Sequence, residues 1–332
     1  MKKGKAVVLF SGGLDSTLAL KLLLEQGIEI EAVNFVSPFC LCGKGGCGAS
    51  KVAQKLGVPL KLISVGEEYL KMVRRPKHGY GRNMNPCIDC RIFMLKKAKK
   101  YAKQTGASFI VTGEVLGERP MSQHFKALQT IEEEAGLKNM ILRPLSAKLL
   151  PETIIEQKGL VDRQKLLDIQ GRSRKRQMQL ADGFSITDYP CPSGGCLLTY
   201  KEFADKVRDI FEHKRRVTAK DIALLKLGRH FRVGKNKIVV GRDKSEDKLL
   251  VKMKYPNDYY FEVPNCGSPI TILQGAKTKA AVQKAAELTA YHSDDKKARV
   301  QVRFGREKLN RTIDVARPTS EEVENWRVTQ KN

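Results

Sequence analysis

Residues 5–16 read KAVVLFSGGLDS, and this stretch decides the fold of the N-terminal part of the chain. The apolar run 5–10 predicts a buried parallel strand, and residues 15–26 predict a helix that ends at Gly27. A glycine-rich turn between a strand and a helix lets backbone N–H groups approach an anion at the positive end of the helix dipole. No lysine follows the glycines, so this is not the phosphate loop of kinases and GTPases. The residues expected to form the loop are Ser11, Gly12, Gly13, Asp15 and Ser16.

Strands and helices are expected to alternate beyond this loop. This alternation predicts an α/β fold with a doubly wound parallel sheet, which binds ligands at the carboxyl ends of its strands. We expect Asn34, Phe35 and Gly113 at that edge. The predicted strands are 29–36, 59–65 and 108–112, and the predicted helices are 48–56, 91–104 and 160–182.

The SGGLDS loop resembles the PP-loop of ATP pyrophosphatases, which transfer AMP from ATP to a substrate oxygen. Residues 110–123 (IVTGEVLGERPMSQ) and 141–145 (ILRPL) resemble the corresponding segments of tRNA 4-thiouridine synthases. This resemblance implies bound ATP and Mg²⁺, with Asp15 near the metal or the phosphates. The other nucleotide-binding residues that it implies are Phe10, Ser11, Gly12, Gly13, Ser16, Asn34, Phe35, Arg91, Gly113 and Gln123.

The cysteines suggest sulfur or metal chemistry. Cys87 and Cys90 form a C-x-x-C motif at the start of a basic helix, where a thiolate is favoured. A third thiol comes from Cys196 or Cys191, of which Cys196 is preferred, since its context resembles that of the 2-thiouridylases. Three thiolates can hold a [4Fe–4S] cluster with one open iron. A zinc site and a metal-free persulfide pair are the alternatives, and the roles of Cys40, Cys42 and Cys47 stay open.

A second domain is expected after a linker at 205–220. Residues 228–316 resemble the RNA-binding domain of NFACT proteins, which places the domain at 221–318, between a first domain at 1–204 and a tail at 319–332. Strands are expected at 248–254, 258–263 and 298–304, and a helix at 276–291. The residues expected to contact RNA phosphates and bases are Arg229, Arg232, Lys235, Lys237, Arg242 and Lys244, with Phe231, Tyr259 and Tyr260.

The net charge of +25 favours an anionic partner. No apolar run approaches the roughly 20 residues of a membrane span, so we expect no membrane partner and a cytoplasmic location. Together these features predict a tRNA sulfurtransferase that adenylates a uridine carbonyl oxygen and then transfers sulfur, with 4-thiouridine favoured over 2-thiouridine. Asp15, Cys87, Cys90 and Cys196 are its expected catalytic residues. The sulfur donor, sulfide or a cysteine desulfurase persulfide, and the oligomeric state, a homodimer among the options, stay open. The rival functions are a PP-loop synthetase or amidase for a small molecule and a non-catalytic tRNA-binding protein.

Overall fold

The computed structural model describes residues 4–40, 48–187, 189 and 196–329. The chain divides into two compact units, Met1–Thr199 and Tyr200–Asn332. Within the described ranges, no helix combines the length and the apolar character that a membrane crossing requires.

Unit 1 is built on a five-stranded sheet in the order β3-β2-β1-β4-β5, and every neighbouring pair in it is parallel. Its strands are β1 (Lys5–Leu9), β2 (Glu29–Val36), β3 (Leu60–Ser64), β4 (Phe109–Thr112) and β5 (Ile141–Leu142). Its helices are α1 (Leu14–Leu24), α2 (Gly48–Lys55), α3 (Glu67–Arg74), α4 (Cys87–Thr105), α5 (Phe125–Ala135), α6 (Ile154–Gln157) and α7 (Lys175–Gly183).

Helices cover both faces of this sheet, which confirms the predicted doubly wound fold. Alternate residues of β1 enter opposite hydrophobic layers, as the pleat of a strand requires. Ala6 and Val8 pack in the layer that contains Leu20 of α1. Val7 and Leu9 pack in the other layer, against residues of α4 and α5. The strand is buried on both faces, which explains its uninterrupted apolar sequence.

Unit 2 is an antiparallel sheet of six strands in the order β11-β10-β8-β9-β7-β6. Helix α11 packs on it around buried residues such as Phe261, Ala285 and Leu288. The strands are β6 (Arg229–Val233), β7 (Asn236–Val240), β8 (Tyr259–Glu262), β9 (Thr271–Gln274), β10 (Arg299–Gly305) and β11 (Arg311–Ala316). The helices are α8 (Lys201–His213), α9 (Ala219–Leu225), α10 (Lys244–Met253), α11 (Lys279–Tyr291) and α12 (Ser320–Asn325).

Two of the predicted elements are wrong. The strand expected at 248–254 lies almost entirely in helix α10, because the Asp243 side chain caps that helix by accepting from the N–H groups of Ser245 and Glu246. The helix expected at 160–182 is reduced to its end, α7. Before α7, this stretch forms only a short 3₁₀ turn, Arg163–Lys165, and the Ile169 N–H donates to the Leu145 carbonyl oxygen at 2.8 Å instead of bonding within a helix.

The two units also differ from the expected domain limits. Residues 205–220, expected as a linker, include most of helix α8 and the start of α9. Residues 319–332, expected as a tail, contain α12. The Arg232 N–H donates to the Trp326 carbonyl oxygen at 2.7 Å, so this segment is joined to strand β6.

Candidate functional site

The phosphate loop connects the end of β1 to the first turn of α1. Gly12 has a φ of +74°, and a Cβ atom there would lie 2.5 Å from the backbone of Ala49. The Gly13 carbonyl oxygen accepts from the Thr17 N–H at 3.0 Å and from the Ser16 hydroxyl at 2.9 Å. Gly13 is the N-cap residue of α1 and supplies no side-chain cap. The first-turn N–H groups are therefore available to an anion.

Gly113 brings the end of β4 onto the same turn. A Cβ atom at Gly113 would lie 2.5 Å from the Ser16 backbone nitrogen, so only glycine allows this close approach. The Ser11 and Ser16 hydroxyl oxygens lie 3.1 Å apart on the other side of the loop. The structure thus brings Ser11, Ser16 and Gly113 together, as the sequence predicted.

Asp15 faces into this site from α1. Burial raises the pKa of its carboxyl group, and the charge of Arg174, whose Nη2 lies 3.6 Å from Asp15 Oδ2, opposes that effect. The Oδ1 atom is buried and has no hydrogen-bond partner among the described residues. A buried carboxylate oxygen without a partner fits a Mg²⁺ ligand, because Mg²⁺ prefers carboxylate and phosphate oxygens.

The residues predicted for the adenine side lie at the carboxyl ends of β1 and β2, but two of them support the sheet. Phe10 is buried in the layer of α1. The buried Asn34 side chain donates to the Phe10 carbonyl oxygen at 2.7 Å and ties the two strand ends together. Phe35 is half-buried and packs with the layer of α4. Phe35 therefore offers the most accessible of these three side chains.

Arg91 takes part in a charge network around the buried Glu114. Its Nε lies 3.3 Å from Glu114 Oε1, and Arg143 Nε lies 3.1 Å from the other carboxylate oxygen. Arg143 also forms an ion pair with Glu132. Burial alone would raise the pKa of Glu114, but the two guanidinium groups and a hydrogen bond from Thr112 hold it below its usual value. The ion pair with Glu114 holds the side chain of Arg91, which is the residue directly after the C-x-x-C motif.

Cys87 and Cys90 lie in the first turn of α4, where the sequence places them. The Tyr69 hydroxyl oxygen lies 3.1 Å from Cys90 Sγ. Burial raises the pKa of both thiols, and the charges of Arg91 and Arg119 oppose it only in part. Burial thus opposes the thiolate that the helix N-terminus is expected to favour.

Cys196 joins the same region from the far end of unit 1. It forms an isolated antiparallel bridge with Cys40, and the Leu197 N–H donates to the Phe39 carbonyl oxygen at 3.0 Å. Burial raises the pKa of Cys196 to about 12, and negative charge on Cys90, Cys87 and Cys40 adds to the increase. The structure thus brings Cys196 near Cys87 and Cys90. Cys42, Cys47 and the alternative ligand Cys191 lie outside the described residues.

The three thiols converge without forming a closed ligand set. In the part of the chain that the structure describes, no group of three Cys, His, Asp or Glu side chains is arranged to hold a metal ion. Three cysteine thiols are the donor type that a [4Fe–4S] cluster takes, and negative charge on Cys87 and Cys90 raises the pKa of Cys196, so the three lie in one region.

A loop after β4 connects the nucleotide side to the thiols. Burial raises the pKa of both Asp15 and Cys87, and the charge of Arg119 opposes that increase at each of them. Gln123 is buried, and its Oε1 has no hydrogen-bond partner among the described residues. Sequence reasoning missed Tyr69, Arg119 and Arg174, which carry no local signal of their own.

In unit 2, several basic residues expected to contact phosphates are instead neutralised within the protein. The Asp209 carboxylate accepts from both Arg232 and Lys237, and Glu246 forms an ion pair with Arg242. Burial lowers the pKa of Lys237 to about 8, against the opposing charge of Asp209. Phe231 lies in the core. The predicted RNA-binding residues therefore do not form one open basic face.

Two family comparisons match this division of the chain. Residues 1–157 match the family described as thiamine biosynthesis protein (ThiI), and residues 228–327 match the NFACT protein RNA binding domain.

Relatives of known name resemble only part of the chain. A tRNA-specific 2-thiouridylase MnmA of Syntrophotalea carbinolica is 35% identical over 125 residues, which cover 34% of this chain and 35% of that protein. A probable tRNA sulfurtransferase of Ureaplasma parvum is 32% identical over 148 residues, covering 43% and 37%. A crystal structure of a 4-thiouridine synthetase–RNA complex with bound ATP aligns with a TM-score of 0.35 and 25% identity, covering 67% of this chain and 52% of that chain.

The chain spans little more than a third of the length of these two curated relatives. Residues 1–157 are thus similar to the ThiI family, and residues 228–327 are similar to the NFACT RNA-binding domain.

Proposed function

We propose that the chain is an ATP-dependent tRNA sulfurtransferase that forms 4-thiouridine. One observation carries the proposal: the end of β4 contacts both the nucleotide loop and the start of α4. Gly113 lies against the Ser16 backbone, and Glu114 Oε1 lies 3.3 Å from Nε of Arg91, the residue directly after the C-x-x-C motif. A site that binds ATP beside thiols suits a reaction in which one oxygen is activated and then replaced by sulfur. The resemblance of residues 110–123 and 141–145 to tRNA 4-thiouridine synthases favours 4-thiouridine as the product.

In the first step, the phosphate loop binds ATP through the free N–H groups of the α1 first turn. Asp15 would hold Mg²⁺, which when bound screens the phosphate charge. The uridine carbonyl oxygen attacks the α-phosphorus, and pyrophosphate leaves. The uridine must leave any base stack to reach this site. Adenylation converts the carbonyl oxygen into part of a good leaving group.

In the second step, a sulfur nucleophile attacks the activated ring carbon, and AMP leaves with the oxygen. We propose that Cys87, Cys90 and Cys196 hold a [4Fe–4S] cluster, which when bound supplies an iron with an open position for sulfide. Burial opposes ionisation of these sulfurs, and neighbouring side chains offset part of that effect at Cys87 and Cys90. Arg91 and Arg119 lower the pKa of Cys87 and Cys90, and the Tyr69 hydroxyl, 3.1 Å from Cys90 Sγ, can donate a hydrogen bond to its thiolate.

The test uses the full chain, reconstituted anaerobically with iron and sulfide, together with unmodified tRNA, ATP, Mg²⁺ and sulfide. Nucleosides are then quantified by mass spectrometry, and released pyrophosphate is measured in parallel. We expect 4-thiouridine and tRNA-dependent pyrophosphate release. Cys90→Ala should abolish thiolation and remove the cluster absorbance, while keeping pyrophosphate release.

Cys266→Ala is the matched control, because Cys266 is an exposed cysteine of unit 2. It should thiolate tRNA at the wild-type rate. Pyrophosphate release that needs no tRNA would favour a small-molecule synthetase instead. Binding of tRNA without any pyrophosphate release would favour a non-catalytic RNA-binding protein. Thiolation by protein that lacks the cluster absorbance would support the proposed reaction but contradict the proposed cluster.

A further inference from the structure

Three basic side chains of unit 2 surround the ring of Tyr259, and we call them the Tyr259 cluster. Lys277 Nζ lies 5.5 Å from the ring centroid, and the Cζ atoms of Arg306 and Arg311 lie 6.0 and 5.7 Å from it. The three residues come from the segment between β9 and α11, from the β10–β11 turn and from β11. Arg306 and Arg311 are exposed, and Lys277 is half-buried. The cluster is therefore a tertiary feature that faces solvent.

The cluster differs from the cations around Asp209 in having no carboxylate ion-pair partner among the described residues. Among the residues that the structure describes, none of its three cations forms an ion pair with a carboxylate, whereas Arg232 and Lys237 share Asp209. Burial and the nearby charge of Arg306 lower the pKa of Lys277, against the charge of Asp258. Like charges held together in this way repel one another, and an anion bound between them would remove that repulsion.

Hydrogen bonds hold the cluster in place. Arg311 donates to the Tyr259 hydroxyl at 3.2 Å. Lys277 Nζ donates to the carbonyl oxygens of Leu273 at 2.7 Å and Gly275 at 3.0 Å. On the turn that carries Arg306, the Glu307 carbonyl oxygen accepts from the Tyr260 hydroxyl at 3.1 Å. The Lys277 and Arg311 side chains and the turn that carries Arg306 are thus held before any partner binds, which reduces the entropy lost on binding.

We propose that the Tyr259 cluster binds the phosphate backbone of RNA, and, resting on the proposed function, that this RNA is tRNA. Arginine presents a planar fork of donors that matches phosphate oxygens, and two exposed arginines can contact neighbouring phosphates of one strand. The three cations are suited to phosphate groups and not to base edges, so the cluster would position RNA without selecting a sequence. The match of residues 228–327 to an RNA-binding domain contains the whole cluster.

The test measures the binding of labelled tRNA to the full chain over a series of salt concentrations, without ATP or a sulfur source. Arg306→Gln and Arg311→Gln should each reduce the slope of log K against log salt by about 1, and the double variant by about 2. Arg306→Glu should weaken binding more than Arg306→Gln does. Fluorescence of Trp326, which packs on the core of unit 2, checks that each variant is folded.

Arg299→Gln is the matched control, because Arg299 is an exposed arginine of the same hairpin that forms an ion pair with Asp314 at 3.2 Å. It should leave the salt slope unchanged. A double variant with the wild-type slope for tRNA would overturn the proposal. If that variant instead lost binding to phosphatidylserine vesicles, the cluster would be assigned to a lipid surface. The assay measures tRNA binding and no catalysis, so its result can be interpreted even if the protein does not thiolate tRNA.

Discussion

The two units differ in how their functional residues are held. In unit 1, the phosphate loop is a backbone feature in which Gly12, Gly113 and the first turn of α1 approach closely. In unit 2, the charge that a basic residue offers to a ligand depends on its ion-pair partners. Asp209 neutralises Arg232 and Lys237, whereas the Tyr259 cluster keeps its positive charge. A binding site made of backbone groups can be predicted from a short sequence motif. A binding site made of charged side chains depends on which ion pairs form in the folded protein. Positive charge in a sequence therefore indicates a partner without locating its surface.

The largest expected effect tests the backbone site in unit 1. In Gly113→Ala, the new Cβ atom would overlap the Ser16 backbone, so β4 or α1 must shift. Overpacking of this kind costs about 1–3 kcal/mol of stability. We expect ATP affinity to fall at least tenfold, equivalent to ~1.4 kcal/mol. Isothermal titration with ATP and chemical denaturation measure the two effects.

Gly183→Ala provides the control for Gly113→Ala. Gly183 lies at the end of α7, and a Cβ atom there would meet no neighbouring atom within 4 Å. ATP affinity should remain at the wild-type value in this variant. Equal ATP affinity in Gly113→Ala and Gly183→Ala would mean that the close approach of β4 does not shape the nucleotide site.

A second prediction concerns the neutralised cations of unit 2. Burial lowers the pKa of Lys237 to about 8, below its ordinary value of 10.5, so the unfolded chain binds more protons between these pH values. The stability of unit 2 should therefore rise from pH 8 to pH 10.5, by an amount on the order of 1–3 kcal/mol. Trp326 is the chain's one tryptophan, so its fluorescence during denaturation reports unit 2.

Lys237→Met should remove that rise, because methionine does not titrate. Lys235→Met is the control, since Lys235 is an exposed lysine on the same hairpin. The comparison between the two variants cancels the titration of other groups at high pH. An identical pH dependence in both variants would contradict the assignment of the effect to Lys237.

The parts predictable from the sequence were those with local causes. The apolar run of β1 and the glycines of the loop indicated the sheet and the nucleotide end without any tertiary information. The capped helix α10 was predicted as a strand, because its apolar residues were weighed without the Asp243 cap that begins the helix. Tyr69 and Arg119 were missed because each acts on residues distant in sequence. Phe231 is expected to contact RNA but lies in the core. An aromatic residue between basic residues has the same sequence pattern whether it stacks on a base or packs in the core.

The last prediction tests tertiary pairing inside unit 1. The Leu197 N–H bond to the Phe39 carbonyl oxygen makes Cys40 and Cys196 a non-hydrogen-bonded cross-strand pair, in which side chains lie closest. Such a pair lies within the Cα separation that a disulfide needs. Mild oxidation of the metal-free protein should therefore give a Cys40–Cys196 disulfide, detected by mass spectrometry of peptides. Cys40→Ser should prevent it, and Cys266→Ser should not. Predominance of a Cys90–Cys196 disulfide would instead mean that the thiols of α4 lie closer to Cys196 than its strand partner does.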